Sequence, residues 1–179
     1  MNFSRKLLQA DFLAVWVIAT TSLCVGLLIN QFRDKPLPLV YQSKEQRVMV
    51  AVEQIASTPQ VAETSDVPEY MGLEEFRGLV ESKGAVVLDA RPEIFHRLGH
   101  VPGALSLPRE DFEASFALHR NRLEADKGVL IVIYCSGSSC EDSDLVRKAL
   151  HRLGFTRVSV FKGGWSAWTS AGLPEGRTP

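Results

Sequence analysis

The feature that most constrains this chain is an uncharged apolar run near its amino terminus. Residues 12–29 contain no charged side chain, and the run approaches the ~20 residues that a helix needs to cross a bilayer. A cleaved signal peptide has a shorter apolar region of roughly 7–15 residues and a small-residue cleavage site, which this run lacks. A buried helix of a soluble protein rarely stays apolar on all faces. We therefore predict a membrane anchor over residues 1–33, with a transmembrane helix at about residues 12–30.

Basic residues on either side of the run bear on the orientation of the anchor. Arg5 and Lys6 precede the run and favour a cytoplasmic amino terminus. Four basic residues after the run favour the opposite arrangement: Arg33, Lys35, Lys44 and Arg47. We expect the folded domain to lie outside the cytoplasm, in the periplasm, because short amino-terminal anchors of this form commonly export the chain that follows them.

Overall composition excludes several classes of partner. The chain has 20 basic and 21 acidic residues and a formal net charge of -1, so it lacks the basic excess typical of nucleic-acid binding. Three cysteines are too few for a disulfide scaffold, and the four histidines do not fall at zinc-ligand spacing with them. We expect no nucleic-acid partner, no metal and no cofactor. The sequence identifies neither a protein partner nor an oligomeric state.

Residues 34–68 are predicted to form a connector. Pro36 and Pro38 stop helix formation after the anchor. Apolar residues then recur at helical spacing and predict a short amphipathic helix: Val48, Ala51, Val52 and Ile55. This helix either lies on the membrane surface or packs on the domain, and a spacer helix is the simplest interpretation. Residues 57–68 are predicted to form a loop.

Helix and strand patterns alternate from residue 69 to about residue 176. Continuous apolar runs predict strands at residues 85–88 and 129–134, and Arg157-Val-Ser-Val-Phe161 is predicted to form a further strand. Amphipathic spacing or flanking Gly and Pro predict helices at residues 73–81, 92–98, 111–123, 143–153 and 165–170, with Gly154 as a helix cap. This alternation predicts a parallel sheet covered on both faces, with chemistry at the carboxyl ends of the strands.

The strongest predicted strand, residues 129–134, runs directly into the sequence Cys135-Ser-Gly-Ser-Ser-Cys140. Small residues let the backbone N–H groups of such a loop turn inward and bind an anion, particularly where a helix follows. The same dipoles favour the thiolate form of Cys135 over its thiol form. The competing interpretation is a buried, inert cysteine beside a flexible turn.

Four motifs together resemble a single rhodanese domain over about residues 69–175. They are Asp89-Ala-Arg91, Gly99-His-Val-Pro-Gly-Ala-Leu105, Tyr134-Cys135 with its loop, and Lys162-Gly-Gly-Trp165-Ser-Ala-Trp168 with Ala171-Gly-Leu-Pro174. Their order and spacing match those of the rhodanese-like sulfurtransferase family. The resemblance implies an α/β fold with a central five-stranded parallel sheet flanked by helices on both faces, here preceded by one transmembrane helix.

The resemblance also implies a chemistry for the loop. Cys135 would accept sulfane sulfur from a small donor such as thiosulfate, and the resulting persulfide would pass its sulfur to a thiol or a cyanide-like acceptor. Backbone N–H groups along the loop would stabilise the persulfide anion: Ser136, Gly137, Ser138, Ser139 and Cys140. Three further residues are expected to support the site structurally, Asp89 and Arg91 as an ion pair and His100 as the anchor of a turn.

This sequence departs from the family pattern in two ways. The loop offers no Arg or Lys to bind an anionic donor, and Glu141 and Asp142 follow it, which puts thiosulfate in doubt as the donor. The second departure is Cys140. One hypothesis is that Cys140 resolves an oxidised or persulfidated Cys135 by forming a disulfide, which would make the domain a thiol-redox device. The other is that Cys140 faces away from the pocket.

Two other functions compete with sulfur transfer. Related phosphatases and arsenate reductases need an arginine at the end of a Cys-x5-Arg loop, and Glu141 occupies that position here. A non-catalytic module that recruits a membrane partner is the second rival. The intact Cys135 counts against that rival without excluding it.

Overall fold

The computed structural model describes residues 3–33, 36–37, 39–55 and 67–177. The chain divides into two units, residues 1–42 and residues 43–179, which are described separately. Most of the predicted loop at residues 57–68 lies outside the described residues, as does Pro38 of the predicted connector.

The first unit contains one long helix, α1 (Phe3–Gln31). Its segment Phe12–Gln31 has a mean hydropathy of 2.3, and none of it is buried against other parts of the protein. Twenty residues at 1.5 Å each give a length of about 30 Å, which matches the hydrocarbon core of a bilayer. The hydroxyl of Thr20 donates to the Trp16 carbonyl at 2.9 Å, so this polar group is satisfied within the helix. The described part of the chain thus has one helix with the length and composition of a membrane span, as predicted.

The second unit is an α/β domain built on a five-stranded sheet in the order β1-β5-β4-β2-β3. Its strands are β1 (Tyr70–Met71), β2 (Val86–Asp89), β3 (Leu105–Ser106), β4 (Ile131–Tyr134) and β5 (Val158–Phe161). Its helices are α2 (Lys44–Ile55), α3 (Leu73–Ser82), α4 (Glu93–Leu98), α5 (Phe112–Glu124), α6 (Asp142–Arg152) and α7 (Gly164–Ser170). Every neighbouring pair of strands is parallel. The predicted fold class is confirmed.

Alternate residues of the central strands supply two separate hydrophobic cores. Ile131 and Ile133 of β4 face one core, whereas Val132 and Tyr134 face the other. The first core contains side chains of α2, α5 and α6 around Phe116, Val146, Leu150 and Phe155. The second contains Phe76 of α3 and Trp168 of α7. Because both faces are covered, these strands are buried on both sides, which is the pattern of continuous apolar residues that identified β2 and β4; β5 instead includes the buried Ser159.

Helix α2 is part of the domain core. Ser43 and Gln46 form a reciprocal capping box at its start, with hydrogen bonds of 2.9 and 3.2 Å. Val48 and Val52 are only 1% and 2% exposed and join the cluster that also holds α5 and α6. The interpretation of this helix as a spacer is therefore wrong, because its apolar face is used to cover the core. The compact unit begins at Ser43, ahead of the predicted domain start at residue 69.

Candidate active site

Cys135 lies directly after β4, at the carboxyl edge of the sheet. Strand β4 sits between β2 and β5, and its last residue, Tyr134, is in register with Asp89 and Phe161. Cys135 itself is 3% exposed, whereas Ser136, Ser138 and Ser139 of the following loop are more accessible. The loop ends where α6 begins at Asp142. The sequence therefore placed Cys135 correctly, at a strand end ahead of a helix.

The start of α7 holds the first half of this loop. The backbone N–H groups of Trp165 and Ser166 donate to the carbonyls of Cys135 and Ser136 at 2.8 and 2.9 Å. Gly164 has a φ of +60°, and a Cβ atom there would lie 2.5 Å from the Cys135 carbonyl oxygen. Only glycine allows this close approach of the two backbones. The conformation of the loop therefore depends on the Gly-Gly-Trp sequence as well as on its own small residues.

Cys135 and Cys140 form a disulfide across the loop, with their Cα atoms 6.2 Å apart. The backbone N–H of Cys140 donates to the Gly137 carbonyl at 3.0 Å, so it is engaged within the loop in this state and does not face a free anion site. The Cys140 sulfur is thus in contact with that of Cys135, so the hypothesis that Cys140 faces away from the pocket is wrong. The remaining cysteine, Cys24 of α1, is exposed and free.

A cation that the sequence did not indicate lies beside the loop. One carboxylate oxygen of Asp142 lies within 4.8 Å of both cysteine sulfurs. Arg109 donates from Nε to that carboxylate at 2.8 Å, and Lys44 of α2 lies 3.6 Å from it. The Arg109 side chain is only 5% exposed. Arg109 also donates from Nη2 to Glu110 at 2.9 Å, so its charge is shared between two carboxylates. Together with Lys44 it partly offsets the charge of Asp142, which is poorly suited to hold a metal ion with the sulfurs.

A buried polar network surrounds Asp89, which has no exposed surface. Arg91 donates to its carboxylate from Nη2 at 2.6 Å and from Nε at 2.9 Å. The Tyr134 hydroxyl donates at 2.7 Å, and Nδ1 of His96 lies 3.1 Å away. Burial alone would raise the pKa of Asp89, but the hydrogen bonds from His96 and Arg91 outweigh it and lower that pKa. Burial raises the pKa of Tyr134, and the Asp89 charge adds to the effect, so its hydroxyl keeps its proton.

The same network reaches the Gly99-His100 turn and the loop. Arg91 donates to the Gly99 carbonyl at 2.7 Å, and its guanidinium carbon lies 4.6 Å from the centre of the Trp165 ring. Nδ1 of His100 donates to the His96 carbonyl at 2.8 Å, and the two imidazole rings stack at 4.0 Å. Trp165 therefore connects the ion pair to the backbone of Cys135, to which its own N–H donates.

The sequence profile described as "Rhodanese-like domain" matches residues 72–171, more than half of the chain. The chain belongs to the rhodanese-like domain family. The match covers every strand of the domain except β1, and it includes both cysteines of the loop. Helices α1 and α2 precede the matched region.

Curated relatives match a similar share of this rhodanese-like chain. A protein of Escherichia coli strain K12 described as "Uncharacterized protein YibN" is 33% identical over 91 residues, which is 50% of this chain and 59% of that protein. The protein of the same description from strain CFT073 gives the same values. The chain thus matches about three fifths of the length of these relatives.

Solved structures share the fold. The rhodanese-like domain of the Alr3790 protein from Anabaena sp. has a TM-score of 0.52 and 25% identity, covering 63% of this chain and 81% of that one. The BH2092 protein from Bacillus halodurans has a TM-score of 0.54 and 22% identity, covering 62% and 78%. The human single-domain sulfurtransferase TSTD1 has a TM-score of 0.50 and 20% identity, covering 58% and 97%.

The structure groups the predicted site residues into two connected sets. Cys135 to Cys140 form the loop, and Asp89, Arg91 and His100 belong to the network that supports it. Sequence reasoning missed Arg109 and His96. Arg109 follows β3, so its position after a strand was the available signal, but β3 is too short to be recognised.

Proposed function

We propose that this chain is a sulfurtransferase in which Cys135 carries sulfane sulfur as a persulfide and delivers it to a thiol or a cyanide-like acceptor. The observation that carries the proposal is the position of Cys135, at the carboxyl end of the central strand and at the head of a small-residue loop that leads into α6. The aligned peptide dipoles of a helix start favour a sulfur anion in such a place.

The reaction proceeds in two displacement steps once the loop disulfide has been reduced by a thiol reductant. The Cys135 thiolate attacks the outer sulfur of thiosulfate, a bond forms between the two sulfurs, and sulfite leaves with the electron pair of the broken bond. Cyanide or a thiolate then attacks the outer sulfur of the persulfide, and the Cys135 thiolate leaves. The step needs no metal or cofactor, because sulfur supplies both the nucleophile and the leaving group.

Charge around the loop bears on the choice of donor. Arg109 and Lys44 offset the carboxylate of Asp142, which lies near the sulfurs, whereas Glu141 is exposed. A donor with a single negative charge meets less repulsion here than the doubly charged thiosulfate. Thiosulfate serves as the assay donor, and a low-molecular-weight persulfide is the class of donor that this charge pattern fits better.

The membrane assignment is part of the same proposal. Helix α1 remains attached as a single-pass anchor, and the rhodanese-like domain lies on the extracytoplasmic side. The uncharged, unburied surface of Phe12–Gln31 supports the anchor. A carboxyl-terminal fusion to a reporter that folds only in the periplasm should be active, and activity of only a cytoplasmic reporter would refute the orientation.

The decisive experiment measures thiocyanate formation from thiosulfate and cyanide by the full-length protein in detergent. It uses a Cys140→Ser background, in which Cys135 cannot be lost to the loop disulfide. Activity should persist in Cys140→Ser and in Cys140→Ser/Cys24→Ser, where the change at Cys24 controls for removal of an exposed thiol. It should fall to the uncatalysed rate in Cys140→Ser/Cys135→Ser. Equal rates in all three variants would remove Cys135 from the mechanism and favour a binding module.

A further inference from the structure

We propose that Cys140 discharges the persulfide of Cys135, so that the domain releases its sulfur as hydrosulfide and is left with the loop disulfide. This inference rests on the proposed persulfide chemistry and adds a second route by which the sulfur leaves Cys135. The domain would then act as a sulfane-sulfur reductase whose electrons come from its own two thiols, rather than only as a carrier that hands sulfur to an acceptor.

The first support is the fold of the loop, which brings both sulfurs into bonding contact. The Cα separation of 6.2 Å falls within the ~4.4–6.8 Å range that a disulfide requires. The hydrogen bond from the Cys140 N–H to the Gly137 carbonyl turns the second half of the loop back toward its head. Hydrogen bonds from α7 fix the first half at the Cys135 and Ser136 carbonyls. Both halves are thus held in a conformation in which Cys140 reaches the sulfur of Cys135.

The second support is access to the inner sulfur of the persulfide. In the disulfide state Cys135 is 3% exposed. In a persulfide, Sγ of Cys135 lies behind the outer sulfur, which an external thiol therefore meets first. Cys140, which is partly exposed, reaches Sγ of Cys135 from within the loop. An external acceptor therefore takes the outer sulfur as in ordinary transfer. Cys140 has the geometry to attack the inner sulfur instead.

The step balances in atoms and electrons. The Cys140 thiolate attacks Sγ of Cys135, the bond between the two cysteine sulfurs forms, and the bond between Sγ and the outer sulfur breaks. The outer sulfur leaves with the electron pair and takes one proton from water to become hydrosulfide. The sulfane sulfur is reduced by two electrons, and the two cysteine thiols are oxidised to the disulfide. An external dithiol then reduces the disulfide by exchange and restores both thiols.

Charges at the start of α6 fit the departure of an anion. The Asp142 carboxylate near both sulfurs is held by Arg109 and Lys44, so the two sulfurs do not face an unpaired negative charge there. Cys140 lies just ahead of the amino terminus of α6, whose peptide dipoles favour negative charge. The loop thus provides an attacking thiolate together with surroundings that tolerate the hydrosulfide it displaces.

A single-turnover experiment tests this step. Full-length protein in detergent is reduced, freed of reductant without oxygen, and mixed with thiosulfate in the absence of cyanide. Wild-type protein should release about one hydrosulfide per chain, measured colorimetrically, and its intact mass should fall by two hydrogens as the disulfide forms. Cys24→Ser should behave in the same way, since Cys24 lies in the other unit. Cys140→Ser should release no hydrosulfide and should instead retain one added sulfur atom on Cys135.

The outcomes separate this inference from the function on which it rests. Stable persulfide in both wild type and Cys140→Ser would refute the discharge step while leaving sulfur transfer intact. Hydrosulfide release by Cys140→Ser at the wild-type level would also refute it, because another nucleophile would then be responsible. Failure of Cys140→Ser to take up sulfur from both thiosulfate and a low-molecular-weight persulfide would refute both proposals together.

Discussion

Replacing the buried carboxylate of Asp89 is the sharpest test of how this site is supported. In Asp89→Asn the ion pair with Arg91 is lost, although the Arg91 side chain, which is 4% exposed, keeps its charge. Removing one partner of a buried pair costs about 3–5 kcal/mol, since the remaining charge has neither water nor a counterion. The new amide NH2 also faces groups that donate to Asp89, including the Tyr134 hydroxyl.

The expected magnitude follows from the loss of the counterion of a buried guanidinium. We expect the free energy of unfolding of the domain to fall by about 4 kcal/mol, near the middle of the range for a broken buried pair. For a domain of this size that corresponds to a decrease in Tm of roughly 10–15 °C. Tyr134→Phe is a milder change in the same network. It removes one hydrogen bond to Asp89 and leaves the Val101 N–H without its acceptor, which should cost about 1–2 kcal/mol.

Urea denaturation in detergent provides the assay. Fluorescence of Trp165 and Trp168 reports on the domain once Trp16 of the anchor is replaced by Phe. The double variant Asp89→Asn/Tyr134→Phe should lose less than the sum of the single losses, because both changes disrupt one network. A loss below about 1 kcal/mol for Asp89→Asn would contradict the assignment of a buried ion pair.

The direction in which the free energy of unfolding changes with pH gives a second test of the role of Asp89. Its pKa is lowered in the folded state, so the folded domain keeps the carboxyl ionised at pH values where the unfolded chain has begun to bind a proton. The stabilisation is complete above the unfolded pKa of about 3.9 and is lost as pH falls through the folded pKa. Asp89→Asn should lack this part of the acid-dependent loss. An unchanged dependence between wild type and variant would show that the pKa of the carboxyl does not differ between the two states.

Three further predictions concern packing, the loop and histidine. Val48→Ala should lower the free energy of unfolding by about 2 kcal/mol, whereas Val50→Ala on the exposed face of α2 should change it by less than about 0.5 kcal/mol in the same urea assay. Gly164→Ala should reduce thiocyanate formation and stability more than Gly172→Ala, because both have positive φ but only the first would press a Cβ against the loop backbone. Burial lowers the pKa of His119, so stability should fall as pH decreases below about 6.5, and His119→Gln should weaken that fall in urea titrations at about pH 7 and pH 5.

The length of each element explains which parts of the fold could be predicted. The inner strands β2 and β4 were recognised because their apolar runs continue across both faces of the sheet, and β5 was recognised although it includes the polar Ser159. The edge strands β1 and β3 have two residues each, too few for any periodicity, so the five-stranded sheet followed from family resemblance alone. Helix α2 was recognised from its spacing. Its burial was not, because periodicity identifies an apolar face without showing what covers it.

Individual pairings within the candidate site were predictable from the residues alone only where the two partners are close in sequence. Asp89 and Arg91 are two positions apart, and their ion pair was anticipated from the motif. Arg109 and Asp142 are separated by 33 positions, and nothing in the chain around either residue indicates the other. The five-residue spacing of the two cysteines permits a disulfide but does not require one, since the outcome depends on how the loop turns. That turn is set in part by α7, which is distant in sequence.

The rigidity of the loop has a direct consequence for its chemistry. Tyr134 donates to Asp89, and the next residue, Cys135, accepts a backbone hydrogen bond from Trp165, whose ring stacks on the Arg91 guanidinium. The buried network therefore fixes Tyr134, the residue before Cys135, and the helix α7 whose backbone donates to the Cys135 carbonyl. In the proposed discharge step, two thiols held in this way would react as an intramolecular pair, whose effective concentration is high compared with that of an external acceptor. If sulfur is carried and discharged as proposed, we expect the buried charges that hold the loop to influence the balance between sulfur delivered and sulfur released as hydrosulfide, together with the reactivity of the sulfurs themselves.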